Sequence, residues 1–126
     1  MNDPKRLSRQ QYAVKYDEHA GSFYKFALCV IGDRNKAEES VAKLFCEGYI
    51  NAGQKNFVWH MLDILRRILE SCPPDPDSYR ERIKDIFPEP EHWKRTELLG
   101  RMTVSQRAKM LQKLMFEKKE LGKSAR

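Results

Sequence analysis

The stretch GDRNKAEESVAKLFCEGY, Gly32 to Tyr49, decides the fold. Gly32 is a helix stop, because glycine accepts the left-handed conformation that ends a helix. Asp33 or Asn35 then caps a new helix, and Asn35-Lys36-Ala37-Glu38 fits a capping box, with Glu38 reaching back to the cap. From there Ala37, Val41, Leu44, Phe45 and Tyr49 fall at helical spacing and make one apolar face. Lys36, Glu38, Glu39, Lys43 and Glu47 occupy the other. The stretch is therefore an amphipathic helix of about residues 36–51. Its charged side is either a solvated face or a docking surface.

Working outward, the same periodicity predicts helices almost throughout. No run alternates apolar and polar residues between hairpin turns, so the class is all-α. A first helix is expected over 8–31, with Tyr12, Tyr16, Phe23, Phe26, Ala27, Val30 and Ile31 facing inward and Gly21 weakening or bending it. Asn51 to Asn56 reads as a short loop. A third helix starts near Phe57 and presents Phe57, Met61, Ile64, Leu65 and Ile68, with Leu62 and Leu69 alongside. Pro73-Pro74 ends it.

Five of the six prolines fall in CPPDPDSYRERIKDIFPEPEHW, which reads as a boundary with one short helix inside, capped by Asp77 and ended by Pro88. A helix over about 89–100 follows, holding Trp93, Leu98 and Leu99, and Gly100 breaks it. Thr103-Val-Ser-Gln106 is a second capping box. It opens a last helix with Ala108, Met110, Leu111, Leu114 and Met115 on one side, and the tail after Gly122 is expected to fray. The implied organisation is a three-helix bundle over 1–72, a Pro-rich linker with short helices over 73–97, and a short basic helical segment over 98–126.

The chain has 126 residues, 40% hydrophobic and 33% charged, with a mean hydropathy of -0.74. This suits a helix-rich protein with one modest core. No apolar run approaches the roughly 20 residues a membrane span needs, and the polar N-terminus MNDPKRLSRQQ is no secretory signal. Cys29, Cys46 and Cys72 make neither a disulfide framework nor a metal pair. Cys29 and Cys46 read as small buried side chains in a reducing cytoplasm, and Cys72, beside two prolines, as exposed. The net charge is +6. Residues 94–126 hold ten Lys or Arg against three Glu, a net +7, which leaves the first 93 residues at -1. A near-neutral body with a basic tail is a common way to approach nucleic acid or an acidic protein.

Catalytic patterns are absent. His19, His60 and His92 form no metal-ligand spacing, and no phosphate loop or nucleophile turn occurs. Glu38 and Glu39 fall in the first turn of their helix, where carboxylates favour the dipole. As adjacent residues they point about 100° apart, so they do not converge on a substrate atom. No enzyme, cofactor, metal or small-molecule substrate is expected.

The run FYKFALCVIGDRNKAEESVAKLFCEGY resembles the first two helices of the second region of bacterial RNA polymerase sigma factors, in the extracytoplasmic-function group. The matching positions are Gly32, Asp33, Ala37, Glu38, Glu39, Ala42 and Phe45. FVWHMLDILRRI is similar to the promoter-melting helix that follows, with Phe57, Met61, Ile64 and Arg66 in place. Leu99-Gly-Arg-Met102-Thr-Val-Ser-Gln-Arg107-Ala-Lys-Met110-Leu111 is similar to the opening of the family's fourth region. The resemblance covers roughly residues 12–70 and 98–116.

It implies that Glu38, Glu39, Ala42, Lys43 and Glu47 face a coiled coil of the polymerase beta-prime subunit, or a sigma or anti-sigma type partner. It further implies that Trp59, His60, Arg66, Arg67 and Arg107 approach promoter DNA, since aromatic faces stack on bases and cations meet the backbone. The sequence departs from the pattern in four places. Ala42 replaces the family's glutamine, Thr103 its proline, Ile68-Leu69-Glu70-Ser71-Cys72 follows Arg67 where the family has an Asn, an Asp and more basic residues, and EKKELGKSAR stands where a recognition helix is expected. The resulting expectation is a shortened, cytoplasmic sigma-like transcription initiation or regulatory protein, acting as a regulator or as half of a split factor. Two alternatives remain, an interaction adaptor reusing the fold without DNA, and a sequence-independent nucleic-acid binder.

Overall fold

The computed structural model describes residues 6–53, 55–72 and 76–117. Six α-helices follow in order: α1 (Arg9–Ile31), α2 (Arg34–Gly48), α3 (Phe57–Glu70), α4 (Pro76–Ile86), α5 (Trp93–Gly100) and α6 (Val104–Gln112). A 3-10 turn at Pro90–His92 precedes α5, and a π turn at Lys113–Glu117 extends α6. Among the described residues the only β pairing is an isolated bridge between Arg6 and Gly53. The all-α class is as the periodicity predicts. The frayed tail expected after Gly122 lies outside the described residues, as do the side chains of Asp77 and Trp93.

Local signals set the helix ends. Ser8 caps α1 through a capping box with Gln11, each side chain bonding the other's backbone N–H. Leu7 and Tyr12, both buried, occupy the two positions of a hydrophobic staple. The Leu7 N–H donates to the Ala52 carbonyl at 3.0 Å, tying the entry of α1 to the loop after α2. Gly32 closes α1 with φ 69°. Asp33 is the cap of α2, accepting from the Lys36 N–H at 3.1 Å. The Asn35–Glu38 box is therefore not formed. Asn35 is already helical, α2 starts and ends earlier than 36–51, and Glu38 and Glu39 sit beyond its first turn. The Thr103–Gln106 box does form, and it sets the register of α6.

Packing follows from those registers. The Tyr12 hydroxyl donates to the Phe45 carbonyl at 2.7 Å and the Tyr16 hydroxyl to the Val41 carbonyl at 2.8 Å. One turn up α1 thus meets one turn down α2, so the two helices are antiparallel. A side chain at Gly48 would place its Cβ 2.5 Å from the Met61 sulfur and 2.9 Å from the Tyr12 hydroxyl, so α1, α2 and α3 close together only over a glycine. Phe23, Phe26, Leu44, Met61, Leu62, Leu65 and Leu69 fill the interior.

The last helix packs on the three-helix body. Ala108 and Leu111 of α6 belong to the same apolar cluster as α1–α3. Phe116 meets Phe26 edge-on at 6.0 Å. The supposed linker also docks. It begins its helix at Pro76, which fits a first helical position, so Asp77 lies inside α4 and not at its cap. Tyr79 and Ile83 of α4 are buried, and the Tyr79 hydroxyl donates to the Cys29 carbonyl at 2.6 Å. The helix expected over 89–100 is a 3-10 turn followed by α5.

Cysteine placement also differs from expectation. Cys29 is buried as expected, Cys46 is exposed, and Cys72 is half-buried. Cys46 follows Phe45 on the side of α2 that turns away from the core, where the helical period puts it one residue past the apolar stripe.

Candidate functional site

The charged face of α2 is open. Glu38, Glu39, Ala42, Lys43 and Glu47 are all exposed. Glu39, Lys43 and Glu47 stand at successive i,i+4 positions, a spacing at which opposite charges commonly pair. Yet the ion pairs among the described residues are Arg67–Asp63 and Arg82–Asp33, and neither involves this strip. The opposite face holds Ala37, Ser40 and Leu44 in the core. The strip is anchored at its start by Asp33, whose carboxyl is held below the usual range. The Lys36 amide is the main cause, with the Arg82 guanidinium adding to it.

The five side chains expected to meet DNA do not form a surface. Trp59 is half-buried against the core. The His60 Nε2 lies 3.1 Å from the Gly48 carbonyl, so this ring braces α3 against α2. Arg66 is half-buried, and its Nη1 donates to Gln112 Oε1 at 3.4 Å, linking α3 to α6. Arg67 is exposed and pairs with Asp63 one turn earlier on the same helix.

Arg107 is the clear correction. It is 5% exposed, its guanidinium carbon sits 3.6 Å from the centre of the Tyr79 ring, and its Nη1 donates to the Leu99 carbonyl at 3.2 Å. A side chain so covered cannot reach a DNA backbone. Burial lowers the Arg107 pKa from its ordinary value and pushes the Tyr79 hydroxyl up to about 12. The sequence carried a signal for this. Arg107 is three residues after Val104 and four before Leu111, which puts it on the inward stripe of α6.

One location went unnoticed in the sequence. The end of α3, the outer side of α4 and the start of α6 line an open cavity of about 500 Å³, with Arg80, Arg101 and Arg107 in its wall. These residues come from three separate elements, so no spacing announces them. Among the described residues no group of three metal-ligating side chains comes together, and no helix is long and apolar enough to cross a membrane. Compared with known proteins, the chain matches no protein family, no curated protein and no solved structure.

Proposed function

We propose that this protein is a sigma-like regulator, without enzymatic activity, that docks on RNA polymerase or a sigma-related partner through α2. One observation carries the reading. Glu38, Glu39, Lys43 and Glu47 form an exposed strip whose charges take no ion pair among the described residues, on a helix held rigidly by the Tyr12 and Tyr16 hydrogen bonds behind it. Rigid, unpaired charges lose little entropy on docking and steer a complementary surface. Ala42, in the middle of the strip, leaves room for a close approach there.

Promoter contact is the weaker part of the resemblance for this chain. Trp59, His60, Arg66 and Arg107 are engaged inside the fold. Their engagement favours a second reading, in which the same face of α2 serves an adaptor that binds protein and no DNA.

The test is binding of the purified protein to core RNA polymerase from its own source, beside a Glu39→Lys, Glu47→Lys variant. The expected result is saturable binding that the variant weakens at least about tenfold, the equivalent of one lost charge contact. A folded protein with no affinity for polymerase overturns the first reading and leaves the adaptor.

A further inference from the structure

We infer that the cavity at the start of α6 binds the phosphate group of a small phosphorylated ligand. Its wall takes Glu70 from the end of α3, Arg80 from α4, Arg101 from the turn after α5, and Thr103, Ser105 and Arg107 from the entry of α6. Three guanidinium groups face one carboxylate, a net charge of +2 among the described lining residues. Thr103 and Ser105 add hydroxyls. The α6 N-terminus adds the Val104 and Ser105 amides, since the Gln106 and Arg107 amides are already taken by Thr103. A helix N-terminus with free amides and nearby arginines suits an oxyanion.

Arg107 is the independent pointer. It is 5% exposed, its Nε has no hydrogen-bond partner, and no carboxylate pairs with it among the described residues. A buried cation is ordinarily paired. Tyr79 supplies a ring face and a neutral hydroxyl, and Leu99 a neutral carbonyl. Arg107 lines the cavity, and an anion held there would face a cation that no carboxylate pairs among the described residues. The rim is shaped for it as well. A Cβ at Gly100 would stand 2.8 Å from the Arg80 Cγ, so the glycine lets the Arg80 stem cross the end of α5.

Size and depth select the ligand. About 500 Å³ lies within the range of small-molecule sites, roughly 300–1,000 Å³. A duplex backbone could touch Arg80 and Arg101, which are exposed, but not Arg107. This inference does not rest on the proposed docking of α2.

The experiment is calorimetric titration at fixed ionic strength with inorganic phosphate, with adenosine monophosphate and with a short DNA duplex, followed by amide NMR. Arg80→Gln and Arg101→Gln remove exposed cations and leave the core alone, and Arg34→Gln on α2 is the control for bulk charge. Expected is one saturable site that shifts the Val104 and Ser105 amides. Each cavity variant should weaken it about tenfold, as for one charge-assisted hydrogen bond, and Arg34→Gln should leave it unchanged. Tighter binding of the nucleotide assigns a phosphomonoester, and tighter binding of phosphate assigns the free ion; both support the site. Absence of saturable binding, equal weakening by Arg34→Gln, or amide shifts caused by the duplex alone would overturn it.

Discussion

The guanidinium of Arg107 lies 3.6 Å above the ring of Tyr79, and the Tyr79 hydroxyl donates to the Cys29 carbonyl at 2.6 Å. Through this pair α6, α4 and the end of α1 hold one another. Removing only the hydroxyl with Tyr79→Phe should cost about 1 kcal/mol, one buried hydrogen bond. Tyr79→Ala should cost about 3–5 kcal/mol, since it also uncovers Gly32 and leaves Arg107 without its ring. Urea unfolding of the two variants measures both. Equal effects would mean that the ring contributes nothing.

Two glycines should respond with opposite signs. Gly21 lies inside α1, and a Cβ there meets nothing within 4 Å. Gly21→Ala should stabilise by about 0.5–1 kcal/mol through helix propensity. Gly48→Ala drives a methyl into Met61 and Tyr12 and should destabilise by about 1–3 kcal/mol. Thermal melts followed by circular dichroism give both values.

Stability should fall at both ends of the pH scale. Asp33 has a lowered pKa in the fold, so its contribution is present above the ordinary aspartate value of 3.8 and fades as pH drops through the folded value. Asp33→Ala should cost about 1 kcal/mol near neutrality, a normal helix-cap loss, with the gap to wild type closing in acid. At the alkaline end, burial raises the Cys29 thiol to about 11 and the Tyr79 hydroxyl to about 12. The unfolded chain then releases protons first, from about pH 9 upward, and unfolding is favoured. Denaturant midpoints across the pH range test the two slopes.

Thiol labelling separates the cysteines. Cys46 is exposed and Cys29 is buried with a raised pKa. A maleimide should modify Cys46 in the folded protein within minutes and reach Cys29 only through unfolding. Rapid labelling of Cys29 under native conditions would contradict the packing of α4 over α1.

A chain cut after Cys72 should keep α1–α3 helical in far-ultraviolet circular dichroism but lose a sharp melting transition. It lacks Ala108, Leu111 and Phe116, which complete the apolar cluster. A cooperative melt equal to that of the full chain would restore residues 1–72 as an independent unit.

The helices were legible because their signals are local. Ser8, Gly32, Thr103 and Gln106 mark ends through hydrogen bonds within four residues. The outward face of α2 was legible because one apolar stripe leaves little choice for the rest. The choice between Asp33 and Asn35 was not, since both can cap and the turn geometry after Gly32 decides. Docking of α4 and α6 was hidden for another reason. Proline density marks a break in helix but not a break in packing, and the partner that covers Arg107 is Tyr79, on a different helix. The cavity arginines were unreadable because α4, α5 and α6 bring them together only after folding.

The shared core of α1 and α6 also sets an order of events during synthesis. Phe26 leaves the ribosome long before Leu111 and Phe116, with more than eighty residues between them. At roughly 5–20 residues per second, α1 waits several seconds for the helix that covers it. In that interval a nascent chain with α1–α3 formed presents an apolar face around Phe26 that is sealed in the finished protein.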